Sequence, residues 1–146
     1  MKIFSDEYFM KEAFKEAEKA LEKDEIPVGA VVVCNDRIIA KAHNLTETLT
    51  DVTAHAEMQV ITSAANNLGG KYLNDCVLYV TLEPCTMCAG ALFWSQISKI
   101  VYAASDKKRG YSLNNNNILH PKTKIVKGVM KDECGRIISD FFKRKR

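Results

Sequence analysis

Two short segments carry the side chains with the most chemistry: His55-Ala56-Glu57 and Pro84-Cys85-Thr86-Met87-Cys88. Imidazole and thiolate are good zinc ligands, and three protein ligands leave a fourth coordination position open. His55, Cys85 and Cys88 are the candidates for such a set. The remaining histidines and cysteines offer no second pair at close spacing, since His43, His120, Cys34, Cys76 and Cys134 are scattered. A three-ligand zinc site holds water and brings its pKa down to about 7. Glu57, two residues after His55, can lean toward the open position from the first turn of a helix. A carboxylate there takes a proton from the water and delivers it to a ring nitrogen and then to a leaving amine. Alone, CxxC also occurs in redox sites and His-x-Glu is an ordinary helix start. Together, each at the start of a helix, they favour a metal site, because a redox pair needs no His-x-Glu upstream.

The elements that place these groups follow from the spacing of apolar residues. Ser5 is an N-cap with Asp6 and Glu7 in the first turn. Tyr8, Phe9, Phe14, Ala17 and Leu21 recur at helical spacing and predict a helix from Asp6 to Lys23. Ile26-Pro27-Val28-Gly29 breaks it. Ala30 to Cys34 reads as a buried strand, Asn35-Asp36 as a tight turn and Arg37 to His43 as a second strand. A polar loop over Asn44 to Thr53 leads to a helix that starts at Thr53 or Ala54 and ends at Gly69-Gly70. Val77 to Thr81 is a strand, Cys85 to Ser95 a helix and Lys99 to Ala103 a fourth strand. Asp106 to Pro121, with the run Asn114-Asn115-Asn116-Asn117, reads as a polar loop. Ile125 to Val129 is a fifth strand, and a last helix runs from Asp132 into Lys143-Arg144-Lys145-Arg146. This alternation predicts an α/β fold, a mixed sheet with helices on both faces, as one domain over residues 1–146.

The bulk numbers agree. A chain of 146 residues, 47% hydrophobic and 27% charged, suits one globular core. No stretch is apolar and long enough to span a bilayer. The first residues turn acidic at once, without the apolar run of a signal peptide, so a cytoplasmic location is expected. Five cysteines, an odd number, argue against a disulfide framework. Cys34, Cys76 and Cys134 are expected to be buried, inert thiols. Charge is unevenly spread. Residues 1–98 carry 8 Lys/Arg against 14 Asp/Glu, whereas residues 99–146 carry 13 against 4. A basic last third on an acidic body can draw a polyanion to one face, or can be a solvated surface.

The HAE and PCxxC segments, in this order, resemble the zinc-dependent cytidine and deoxycytidylate deaminase superfamily. The segments IPVGAVVV, TAHAEM, LYVTLEPCTMCAGAL and DECGRIISDFF resemble its bacterial tRNA adenosine deaminase branch across nearly the whole chain. The resemblance implies a three-layer α-β-α cytidine-deaminase-like fold on a five-stranded mixed sheet, one zinc ion per subunit and a homodimer. It implies His55, Cys85 and Cys88 as zinc ligands and Glu57 as proton shuttle. It also implies that Asn44 hydrogen-bonds the base, and that Val28, Ala56, Leu82, Glu83 and Pro84 line the pocket, Ala56 and Glu83 through their backbones. The implied reaction is hydrolytic deamination of adenosine to inosine at the wobble position of a tRNA anticodon, by zinc-activated hydroxide. The partner is then an anticodon stem-loop, whose loop bases are easily extruded.

Residues 106–124 depart from that branch. Its Asn-His-Arg segment is missing, and Lys107, Lys108, Arg109, Lys122 and Lys124 are offered as phosphate contacts instead, with Lys143, Arg144, Lys145 and Arg146 at the end of the chain. The terminal run is equally what helix-end charge compensation requires. Phe93, Trp94 and Ile97 follow the second ligand segment as core packing or as dimer interface. Two other readings stay open: a deaminase of a free base or nucleoside such as guanine or cytosine, and a zinc-stabilised RNA-binding domain without catalysis.

Overall fold

In a computed structural model, residues 4–113 and 117–145 are described. The run from Asn114 to Asn116 and the terminal Arg146 fall outside them. Among the described residues four α-helices flank one five-stranded sheet, as the apolar pattern predicts. Helix α1 (Asp6–Glu22) begins at Ser5, whose Oγ accepts from Tyr8 N at 3.1 Å. Strands β1 (Gly29–Cys34) and β2 (Arg37–His43) form an antiparallel hairpin. Its two turn residues, Asn35 and Asp36, both take positive φ, 53° and 60°, which the tightest hairpin turns require.

Helix α2 (Ala56–Leu68) ends at Gly69, in the left-handed conformation. Strand β3 (Cys76–Leu82), helix α3 (Thr86–Ser95) and strand β4 (Lys99–Ala104) follow. Strand β5 (Lys124–Lys127) leads into helix α4 (Lys131–Arg144). The sheet order is β2-β1-β3-β4-β5. The pairs β2–β1 and β1–β3 are antiparallel, while β3–β4 and β4–β5 are parallel.

Alternation along the strands divides the core in two. Ala30, Val32, Leu78, Val80, Ile100 and Tyr102 pack with Ala56, Val60 and Ala64 of α2 and Ala89 and Leu92 of α3. Val31, Val33, Tyr79, Val101 and Ala103 pack on the other face with Phe9, Met10 and Ala13 of α1 and Cys134 of α4. The sheet is thus covered on both sides, which gives the three-layer α-β-α arrangement. Val31, Val80 and Ile100 are fully buried, and each contributes roughly 1.5–3 kcal/mol of transfer free energy. Gly29 lets β1 lie against α1, since a Cβ there would stand 2.1 Å from Ala13 O. Among the described residues no helix is long and apolar enough to cross a membrane.

Most boundaries fall within a residue or two of the sequence expectation, and three departures have a visible cause. The second helix starts at Ala56, because Asp51 Oδ1 accepts from both the backbone N (2.8 Å) and the hydroxyl (2.7 Å) of Thr53 and holds that residue in a turn. Strand β5 stops at Lys127, because Gly128 and Met130 take positive φ, 91° and 60°. The segment after Asp106 is more structured than a polar loop: Cys85 and Gly110 form an isolated bridge, and Tyr111–Leu113 make a 3-10 turn. Of the three cysteines expected to be buried, Cys76 and Cys134 are, while Cys34 is half-buried.

Candidate metal centre

The two ligand segments meet because both sit at helix starts beside the C-terminal end of β3. His55 is the N-cap of α2, and Cys85 the N-cap of α3. Neither side chain caps its own helix, a position where Ser, Thr, Asp or Asn is worth about 1 kcal/mol. Both side chains instead turn toward each other. His55 Nδ1 lies 3.7 Å from Cys85 Sγ and 3.5 Å from Cys88 Sγ. The ligand atoms of the three residues all fall within 4.8 Å of one another.

These distances suit zinc. A nitrogen and a sulfur bound to one tetrahedral zinc ion, at its usual bond lengths, stand about 3.6 Å apart. The electrostatics agree. Its hydrogen bond with Cys88, aided by His55, pulls the Cys85 thiol down to about 4 against the opposing effect of burial. That bond and burial push the Cys88 thiol up. One sulfur therefore already favours the thiolate that a divalent cation needs.

Glu57 lies in the first turn of α2 and is 3% exposed. Burial pushes its carboxyl up to about 7. Its Oε1 is buried with no hydrogen-bond partner, the one such side-chain atom among the described residues. A buried polar atom without a partner costs about 1–3 kcal/mol. Here it stands beside three ligands that leave a fourth zinc position free, which is the place of a water or substrate atom. The donor set and this orphaned oxygen both fit an open zinc site.

The remaining predicted residues are placed as follows. Asn44 is buried, its N–H donating to Val28 O at 3.0 Å. Val28 and Ala56 are buried in the core face that carries α2, and Leu82 packs against it. Pro84 is buried, and its carbonyl accepts from Tyr111 N at 2.9 Å. Lys107, Lys108 and Arg109 are exposed next to Gly110, which bridges to Cys85. Lys122 and Lys124 are exposed at the start of β5. Lys124 is level with Lys99 and Val77, whereas Leu82 pairs with Ala104 at the ligand end, so about 16 Å of strand separates Lys124 from the metal end. Lys143, Arg144 and Lys145 are exposed at the end of α4, where Lys145 pairs with Asp24. Ile97 is buried, Phe93 is half-buried and Trp94 is 76% exposed.

Three features escape sequence reasoning. Gln59 Nε2 donates to His43 O at 2.8 Å and to Ala54 O at 3.1 Å, tying down both ends of the loop between β2 and α2. Glu25 is fully buried and accepts from Glu47 N (3.1 Å), Thr48 N (2.6 Å) and Thr48 Oγ1 (2.6 Å) of that loop. The Glu83 side chain, as well as its backbone, is engaged, in bonds to the loop after β4. The one available signal is the presence of Glu83 in the mainly apolar run from Val77 to Cys85, whereas Glu25 follows the charged Glu22-Lys23-Asp24 and carries none.

Comparison with known proteins agrees with this geometry. Residues 4–104 match the model of the cytidine and deoxycytidylate deaminase zinc-binding region. A tRNA-specific adenosine deaminase of Bacillus subtilis (strain 168) is 50% identical over 97% of this chain and 91% of its own. A solved structure from work on A-to-I editing by tRNA:A34 deaminases at the wobble position of transfer RNA is 41% identical. It covers 89% of this chain and 98% of its own, with a TM-score of 0.82. A guanine deaminase from Bacillus subtilis is 40% identical over 72% of this chain and 66% of its own, with a TM-score of 0.66. With its zinc-ligand cluster inside the matched region, the chain belongs to the zinc-dependent cytidine and deoxycytidylate deaminase family.

Proposed function

We propose that this protein hydrolyses adenosine to inosine at the wobble position of tRNA anticodons. The observation that carries the reaction is the orphaned Glu57 oxygen beside the His55, Cys85 and Cys88 cluster. The substrate follows from the relatives, which match this chain over nearly its whole length and are named for tRNA adenosine.

His55, Cys85 and Cys88 would hold the zinc ion, which would supply Lewis acidity and lower the pKa of water to about 7. Glu57 takes a proton from the attacking water and passes it to N1 of the adenine. With the water oxygen now bonded to C6, it moves the remaining hydroxyl proton to the exocyclic amine, so that the C6–N bond breaks, ammonia leaves and the C6 carbonyl of inosine forms. Burial strengthens that carboxyl's hold on a proton, which suits a group that accepts one and returns it. Asn44 hydrogen-bonds the base, and Val28, Leu82, Pro84 and the Ala56 and Glu83 backbones form the pocket wall. The buried cluster cannot be reached by a stacked base, so the target nucleotide is extruded, at lowest cost from a loop. Lys107, Lys108 and Arg109 hold the phosphates, joined by the exposed cations at the end of α4. The protein works as a homodimer in the cytoplasm, with the exposed Trp94 of α3 in the interface.

The test is mass-detected inosine formation in a minimal anticodon stem-loop with adenosine at the wobble position, beside free adenosine, guanine and cytosine. Inosine in the stem-loop supports the proposal. Turnover of guanine or cytosine with the stem-loop left intact overturns it.

A further inference from the structure

We propose that Glu83 is a positioning residue that fastens the basic loop to the metal-ligand segment, so that phosphate contacts on the loop fix where the target base sits. The proposal rests on the tRNA reading above for its second half, while its first half stands on geometry alone.

Glu83 is 3% exposed, and among the described residues no lysine or arginine forms an ion pair with it. A buried carboxylate without a counter-charge costs several kcal/mol unless hydrogen bonds replace its water. Three donors to it come from one loop. Oε1 accepts from Asp106 N at 3.0 Å, and Oε2 accepts from Ser112 N at 3.1 Å and Ser112 Oγ at 2.7 Å. The bonds grip the loop at both ends, with Lys107, Lys108 and Arg109 between them. Asp106 relays the grip: its Oδ1 accepts from Lys108 N and Arg109 N, each at 3.0 Å.

Gly110 is cut to fit this carboxylate. A Cβ on it would lie 2.4 Å from Glu83 Cδ and 2.5 Å from each carboxylate oxygen. Its φ lies outside the left-handed region, so close approach explains the glycine and backbone freedom does not. The backbone completes the joint through the Cys85–Gly110 bridge, Tyr111 N to Pro84 O at 2.9 Å and Glu83 N to Ala104 O at 2.8 Å. The loop is therefore bonded to each residue from Glu83 to the ligand Cys85. A free basic loop attracts phosphates equally well but places the base nowhere in particular. A clamped one is preorganised, and the ordering cost is met before RNA arrives.

Glu83→Gln tests this in the zinc-loaded protein, because an amide offers one acceptor oxygen where three donors converge on two. Ser112→Ala removes one of the bonds from the loop side, away from the metal segment, and serves if Glu83→Gln does not fold. Expected in Glu83→Gln are faster hydrogen exchange at the Asp106 and Ser112 amides and unchanged zinc content. Stem-loop KM rises about tenfold while kcat falls less than about threefold, a loss of roughly one broken charged hydrogen bond. Ser112→Ala shifts KM in the same direction by about threefold, and the double variant adds little to Glu83→Gln. Unchanged amide exchange in both variants overturns the clamp. A released loop with unaltered KM, or a fall in kcat alone, overturns its link to substrate. If the wild type leaves the stem-loop untouched, the tRNA reading fails and takes that link with it, while the exchange data still decide the clamp.

Discussion

Gln59 holds the carbonyl of His43 at 2.8 Å from one turn inside α2. The residue after that carbonyl is Asn44, and the same amide reaches Ala54 O, just before His55. One side chain thus fixes the proposed base-binding asparagine relative to the first metal ligand. Gln59→Leu keeps the bulk and removes both bonds. With each neutral hydrogen bond worth about 0.5–1.5 kcal/mol, kcat/KM on the stem-loop should fall roughly tenfold with zinc retained. Steady-state kinetics beside metal analysis checks this. An unaltered kcat/KM would mean that the loop holds its shape without Gln59.

Glu57→Gln should keep one zinc per chain and the fold while kcat falls by about 10²–10⁴, the usual worth of a general acid–base. Thermal stability should not drop, because the variant removes a buried ionisable group whose Oε1 has no partner. Turnover at the wild-type rate would refute the shuttle role.

The zinc centre joins the starts of α2 and α3, so metal removal should be felt in both stability and turnover. Chelation is expected to abolish activity, to lower Tm by several degrees and to be reversed by added zinc, as linkage requires of any ligand specific to the native state. Cys88→Ser, in a fully buried position, should purify with less than about a tenth of the wild-type zinc. Metal analysis and calorimetry measure both effects. Full zinc content in Cys88→Ser would remove that residue from the ligand set.

Most of this architecture is legible in the sequence because period and punctuation agree. The Ser5 cap, the Asn35-Asp36 turn and Gly69 each have one conformation they serve best, and each adopts it. His55, Glu57, Cys85 and Cys88 are equally legible, since few tasks besides metal-assisted hydrolysis use those types at those spacings. The clamps of Glu25 and Glu83 are not. Their partners are mainly backbone N–H groups, which every residue but proline carries, so no residue type marks the far end of the bond. The start of α2 is missed for a related reason: the Asp51 turn competes with the helix through a side chain that also suits exposed loop. The placement of Lys122 and Lys124 at the far end of the sheet depends on strand direction, which charge patterning does not contain.

Glu25 ties acid stability to the loop between β2 and α2. Burial would raise its pKa, but the hydrogen bonds from Thr48 and Glu47 outweigh burial and hold it below the ordinary 4.5. A carboxylate whose folded pKa is depressed adds stability in full above its unfolded value and loses it as pH falls through the folded one. Glu25→Gln should therefore unfold at lower denaturant than the wild type at pH 7, by about 1–3 kcal/mol for charged bonds weakened. The gap should narrow as pH falls below 4.5, because the wild-type carboxyl then takes up its proton and resembles the amide. Urea titrations of both proteins across that range decide the matter. A gap that stays constant with pH would show that Glu25 supports the loop by shape and not by charge.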